Sequence, residues 1–174
     1  EALTLLLNAL FTPPIAEIHR HGGNIIAFGG DALTSWFPAG AEGEGVRATA
    51  ACAHAMLRQV ERFPAETPAG PVPLAMHIGV ATGAVRRLVV GRSPYGLLDI
   101  LAGATLDRMA EAQHRAGTGQ VVVDEATAAA LSAGATRPLE TGFFLLDEVD
   151  ATTLSTDPIT APPLTARQVR PWLA

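Results

Sequence analysis

At 174 residues and 18.0 kDa, with a formal net charge of −5, the chain can bury one core without covalent staples and lacks the basic excess of a nucleic-acid binder. Its single cysteine, Cys52, excludes a disulfide framework or a cysteine-built zinc site and fits a cytoplasmic protein. No apolar run approaches the roughly 18 residues of a membrane span, and the absence of lysine rules out P-loop or Schiff-base chemistry from this chain.

The sequence opens at Glu1 inside a helical pattern. Leu3, Leu7, Leu10, Pro14 and Ile18 recur at helical spacing, which predicts a helix from about residue 2 to 20. Pro13-Pro14 predicts a kink or a restart there, with Thr12 as N-cap, and Gly22-Gly23 is the stop. His19 and His21 beside that stop are either metal-ligand candidates or cations favoured at a helix C-terminus, and the second reading carries more weight. Asn24 to Phe28 and Ala32 to Phe37 are short apolar runs on either side of Gly29-Gly30-Asp31, a hairpin signal. That turn presents one carboxylate, Asp31, beside glycines that let a ligand approach the backbone. From the local pattern alone, Asp31 is as good a turn former as it is a metal- or phosphate-handling acid.

A second helix is predicted from about Gly45 to Phe63, with Cys52 and Met56 in the core and Arg58 and Arg62 on the solvated side. Leu74, Met76, Ile78 and Val80 alternate with Ala75, His77, Gly79 and Ala81, which predicts a strand; residues 84 to 90 are its expected hairpin partner, with Arg86 and Arg87 at an exposed edge. Leu97 to Leu101 is another strand. A helix over about Ala104 to Ala116 follows, turning Leu106, Met109, Ala110 and Gln113 inward. Val121 to Val123 is a buried strand, Asp124 caps a short helix through Leu131, and Leu139 to Val149 holds a last strand. Residues 1–150 therefore form one domain, and the Pro- and Thr-rich 151–174 is a linker. With one strand restored before residue 1, the order is the βαββαβ of an α+β, ferredoxin-like fold: a mainly antiparallel sheet with helices on one face and the first strand missing.

Three segments in fixed order, NALFTPPIAEIHRHGGNIIAFGGDALTSWF, LAMHIGVATGAV and ILAGATLDRMAEAQHRAGTGQVVVDEATAAAL, carry a family likeness. Over about residues 3 to 150 the chain resembles a class III adenylate/guanylate cyclase catalytic domain. It is most similar to the first of the tandem domains of the soluble, bicarbonate-responsive adenylate cyclases and their bacterial relatives, in which a tail like Val169-Arg170-Pro171-Trp172-Leu173 runs on to a second cyclase domain. The resemblance implies conversion of ATP to cyclic AMP and pyrophosphate with two divalent ions, Mg²⁺ or Mn²⁺. It makes Asp31 a catalytic, metal-binding residue, puts Phe28, Gly29 and Gly30 at the bound nucleotide and metal, and places the second metal aspartate upstream of residue 1. It also implies a partner, either a second cyclase domain in the same chain or a homodimer mate.

Where the family's base-reading residues would stand, this sequence has Ala27 and Ile100; where its transition-state Asn and Arg would stand, it has Asp107 and Glu111. Two carboxylates four apart on one helix repel a triphosphate. The resemblance thus implies a metal-donating half that works only with a complementary domain. The absence of a basic residue at Ala27 argues against bicarbonate control. The alternative is a non-catalytic cyclase-like module that dimerises or senses a ligand. A diguanylate cyclase turn is disfavoured because Ala32-Leu33 stand where that motif continues with acidic and aromatic residues.

Overall fold

The computed structural model describes residues 2–40, 43–63, 66–67, 70–71, 74–92, 96–147 and 165–169. Along the chain these form α1 (Ala2–Arg20), β1 (Asn24–Gly29), β2 (Ala32–Trp36), α2 (Glu44–Glu61), β3 (Glu66–Thr67), β4 (Gly70–Pro71), β5 (Ile78–Val80), β6 (Arg86–Gly91), β7 (Leu97–Ala102), α3 (Ala104–Arg115), β8 (Val121–Asp124), α4 (Glu125–Ala130), β9 (Thr136–Glu140), β10 (Phe143–Leu146) and α5 (Ala166–Val169). A four-stranded sheet has the order β5-β8-β10-β9, and β1–β2, β3–β4 and β6–β7 are antiparallel ribbons. Only β5–β8 is parallel among the described pairings, so the fold is α+β and mainly antiparallel.

The core forms where α2 meets β8. Val46, Ala50, Ala53 and Leu57, at helical spacing on α2, pack with Val121, Val123, Leu131 and Leu146. Because strand side chains alternate, Val122 points the other way and packs with Ala112 of α3 and with Phe143. The expected one-sided helical layer is thus two-sided at β8, and this is why that strand is a continuous run of valines.

Several elements depart from their sequence patterns. Helix α1 runs unbroken through Pro13 and Pro14, and Thr12 does not cap a new helix; its Oγ1 donates to the Asn8 carbonyl at 2.6 Å. Pro14 and Ile18, one turn apart, are fully buried where α1 packs on α2, and that burial outweighs the lost backbone bonds. The stop at Gly22-Gly23 is as expected: Gly23 N–H donates to Ile18 O at 2.8 Å and Gly22 N–H to His19 O at 3.0 Å, with Gly22 at φ +78°.

The strand expected near residues 72–81 is confined to Ile78–Val80, with 72–73 outside the described residues. It does not form a hairpin with residues 84–90. β5 pairs with β8, and β6 pairs with β7. A parallel neighbour needs a crossover, and α3 supplies it by packing directly on β5. Gly79 allows the approach, since a methyl there would lie 2.3 Å from Gln113 N and 2.5 Å from Met109 O. On α3 the fully buried positions are Thr105 and Ala112, while Leu106, Met109, Ala110 and Gln113 are half-buried. Cys52 is fully buried and Met56 half-buried. The last expected strand is two, β9 and β10, folded back at Thr141-Gly142, with 148–149 outside the described residues. Of the expected linker, 151–164 and 170–174 also lie outside the described residues, and α5 falls within it.

Candidate functional site

The β1–β2 hairpin pairs Phe28 with Leu33 and Gly29 with Ala32, which leaves Gly30 and Asp31 as the two turn residues. Gly30 has φ +67°, a left-handed conformation that glycine adopts without strain, and this two-residue connection is what a tight hairpin requires. Asp31 is exposed at the tip. A methyl added at Gly29 or Gly30 would meet no atom within 4 Å, so this backbone is open to an approaching ligand. Phe28 is 55% exposed and packs edge-to-face on Phe11 of α1, with ring centroids 5.5 Å apart, which ties the hairpin end to that helix.

Asp31 supplies one hard oxygen donor, suited to a magnesium-type ion that keeps several waters. Among the described residues no group of three or more His, Cys, Asp or Glu converges to hold a metal. Asp31 is not part of such a group, and neither are His19 and His21. His19 is exposed, while His21 Nδ1 lies 2.8 Å from Glu17 O and 3.6 Å from Glu17 Oε2. Glu17 is buried and also accepts from Arg20 and, at 2.5 Å, from Gln59 of α2.

The positions that the sequence resemblance puts at base reading and transition-state binding lie elsewhere on the surface. Ala27 is exposed on β1, and β1 lies against β7. On β7, Ile100 is cross-strand from Leu88 and Leu98 from Val90. All four side chains are on one face of the β6–β7 ribbon and all are exposed, Leu98 to 66%. Asp107 and Glu111 follow on the exposed side of α3. On the opposite face of the ribbon Arg87 of β6 forms a fork with Asp99 of β7, with Nε at 2.9 Å and Nη2 at 2.5 Å, and reaches the β1–β2 hairpin by stacking over Trp36 of β2 at 5.5 Å. Hydrogen bonding from Arg87 holds the Asp99 carboxyl below its ordinary range.

One cluster is not evident from the sequence. Asp124, read there only as a helix cap, is buried at the end of β8. Its Oδ1 accepts from Thr127 N at 2.9 Å, Thr127 Oγ1 at 2.6 Å and Thr82 N at 3.2 Å, and its Oδ2 accepts from Arg108 Nε at 2.8 Å. Burial pushes this carboxyl up, but bonds from Arg108, Thr127 and Thr82 outweigh burial and hold it below the usual carboxylate range. An acid that directly follows three valines was the available signal.

No protein-family model and no curated protein matches the chain. Solved structures do. The guanylyl cyclase Cya2 superposes with a TM-score of 0.71 at 23% identity, covering 86% of this chain and 82% of its own. The guanylate cyclase domain of RhGC from Catenaria anguillulae, in complex with GTP, gives 0.70 at 19% identity over 83% of each chain. The adenylyl cyclase CyaB from P. aeruginosa gives 0.70 at 18% identity over 87% of this chain and 85% of its own. The fold is that of the class III adenylyl and guanylyl cyclase catalytic domains.

Proposed function

We propose that this chain is the metal-donating half of a class III nucleotide cyclase, converting ATP to cyclic AMP and pyrophosphate when paired with a complementary domain. The observation that supports the reading is a cyclase fold with an aspartate, Asp31, exposed at a hairpin turn; the sequence resemblance adds that Ala27, Ile100, Asp107 and Glu111 stand where base-reading and transition-state residues are expected. Mg²⁺ or Mn²⁺, when bound, supplies charge neutralisation of the triphosphate and the departing pyrophosphate. Asp31 would hold the ion, with Phe28, Gly29 and Gly30 as the open backbone at which a polyphosphate could lie.

The rest of the chain supports a one-sided role. Helix α3 has two arginines, and both are used internally. Arg108 is bound to Asp124; Arg115 pairs with Glu140 and Glu111 and stacks on Phe143 at 4.2 Å. Both charges are engaged within the domain, and we assign the phosphate-binding cation to the partner. The partner we infer is a second cyclase domain, in the same chain or as a separate subunit, meeting the exposed face of β6–β7. We place the reaction in the cytoplasm, in keeping with a chain that has a single cysteine. No described helix is long and apolar enough to cross a membrane.

The test is co-expression with a complementary cyclase domain and assay with ATP and with GTP, each with Mg²⁺ and Mn²⁺. Turnover that disappears in Asp31→Asn while the domains still associate supports the assignment. Unchanged turnover in Asp31→Asn, or cyclase activity from this chain alone, overturns it. The lone carboxylate at the hairpin tip leaves a second reading, a non-catalytic pairing module, which association without turnover under every nucleotide and metal would favour.

A further inference from the structure

The segment leading out of β5 toward the β6–β7 ribbon is gripped residue by residue. Thr82 N–H donates to Asp124 Oδ1, and Thr82 O accepts from Arg108 Nη2 at 3.0 Å. Thr82 Oγ1 lies 2.8 Å from Thr127 Oγ1. Gly83 is pressed against the same group, since a methyl there would sit 2.5 Å from Thr105 Oγ1 and 2.8 Å from Arg108 Nη2. Ala84 O accepts from Thr105 Oγ1 at 2.9 Å. Arg108 Nη2 is also 3.4 Å from Thr105 Oγ1, which joins the two parts of the grip.

Arg108 and Thr105 lie on the first turns of α3, immediately after β7, while Asp124 and Thr127 lie at the junction of β8 and α4. The ribbon thus leaves and re-enters the domain at one cluster. A guanidinium is suited to this because its planar fork can hold a carboxylate through Nε and a carbonyl through Nη2 at once; an ammonium is a point charge on a flexible stem. The ribbon itself needs such a root, since every residue of β6 is exposed.

We propose that Arg108 and Asp124, with Thr105, form a clasp that fixes the root of the β6–β7 ribbon and so sets the direction in which its apolar face, Leu88, Val90, Leu98 and Ile100, is presented. Arg108 is a positioning residue in this arrangement. The positioning role stands on the geometry; its use in presenting the face to a second cyclase domain rests on the reading proposed above.

Amide hydrogen exchange on the whole chain tests the clasp directly. Arg108→Lys keeps a charge for Asp124 but cannot fork to Thr82 O. It should leave the urea midpoint nearly unchanged yet speed exchange in 86–91 and 97–102 by about tenfold or more, while 121–123 and 143–146 keep their protection. Thr105→Val, which removes the bond to Ala84 O without touching Asp124, should act in the same direction. Unchanged ribbon exchange in both variants, or faster exchange spread evenly over ribbon and core, overturns the proposal. Where the complementary domain binds the parent chain, Arg108→Lys should weaken that binding. Absence of binding by the parent itself would count against the cyclase-half reading and leave the exchange result to decide the clasp.

Discussion

Arg108 Nε and Asp124 Oδ2 are 2.8 Å apart, with Asp124 buried and the Arg108 side chain 40% exposed. Such a pair is not a large net stabiliser, because desolvation of the acid opposes the attraction. Its worth lies in satisfying every oxygen of a buried carboxylate and in joining α3, α4 and the β5–β6 connection at one point.

Asp124 should make stability acid-sensitive. Its folded-state carboxyl titrates below the ordinary carboxylate range, so its contribution is fully present above the unfolded value of about 3.9 and is lost as pH falls through the folded one. Urea unfolding between neutral pH and about pH 3 should show a decline that is shallower in Asp124→Asn. At neutral pH that variant should be less stable by about 1–3 kcal/mol, since bonds to a charged acceptor are weakened while the buried group remains.

Substituting Asp31→Asn should leave the fold intact. The side chain is exposed at a turn, so the change in unfolding free energy should stay within about 0.5 kcal/mol. In the paired enzyme proposed above, turnover should fall by on the order of 100-fold or more if Asp31 holds the metal, the scale on which even residues supporting a metal ligand act. Parallel unfolding curves and cyclase assays on the same preparation make the comparison.

Gly79→Ala should be costly in spite of its size. The added carbon would meet backbone atoms of Gln113 and Met109, which cannot swing aside as a flexible side chain can. Calorimetry or urea unfolding should show a loss of about 1–3 kcal/mol, the usual range for overpacking.

Cys52 should be chemically silent in the native chain. Burial pushes its thiol up to about 12, the Glu17 carboxylate adds to the rise, and Arg20 opposes it. Thiolate is the nucleophile, so an aromatic disulfide reagent at pH 8 should label the chain only after denaturation. Prompt stoichiometric labelling of folded protein would contradict the buried position.

Leu98→Arg should separate pairing from folding. Leu98 is the most exposed residue of the apolar face of β6–β7, at 66%, and a charge there meets water in the lone domain but would be desolvated under a partner. The thermal midpoint of the chain should barely move. Association with the complementary domain, measured by calorimetry, should be lost.

Much of this domain is legible from local pattern. Val46, Ala50, Ala53 and Leu57 lie at helical spacing, Val121 to Val123 are a buried strand, and Gly22-Gly23 and Asp124 mark a helix end and a helix start. These follow from side-chain period and backbone preference, which act over a few residues. The turn acid Asp31 is equally visible, because a two-residue hairpin needs Gly30 where it stands and exposes whatever follows it. What local pattern cannot supply is which segments meet. Pro13 and Pro14 should break α1, yet packing on α2 carries the helix through them. Residues 84–90 could pair with β5 or with β7, and the crossover through α3, seated on Gly79, decides for β7. The hairpin tip with Asp31 was therefore set by sequence. The clasp of Arg108 and Asp124, 16 residues apart in the chain, exists only because the tertiary structure brings α3 to the end of β8.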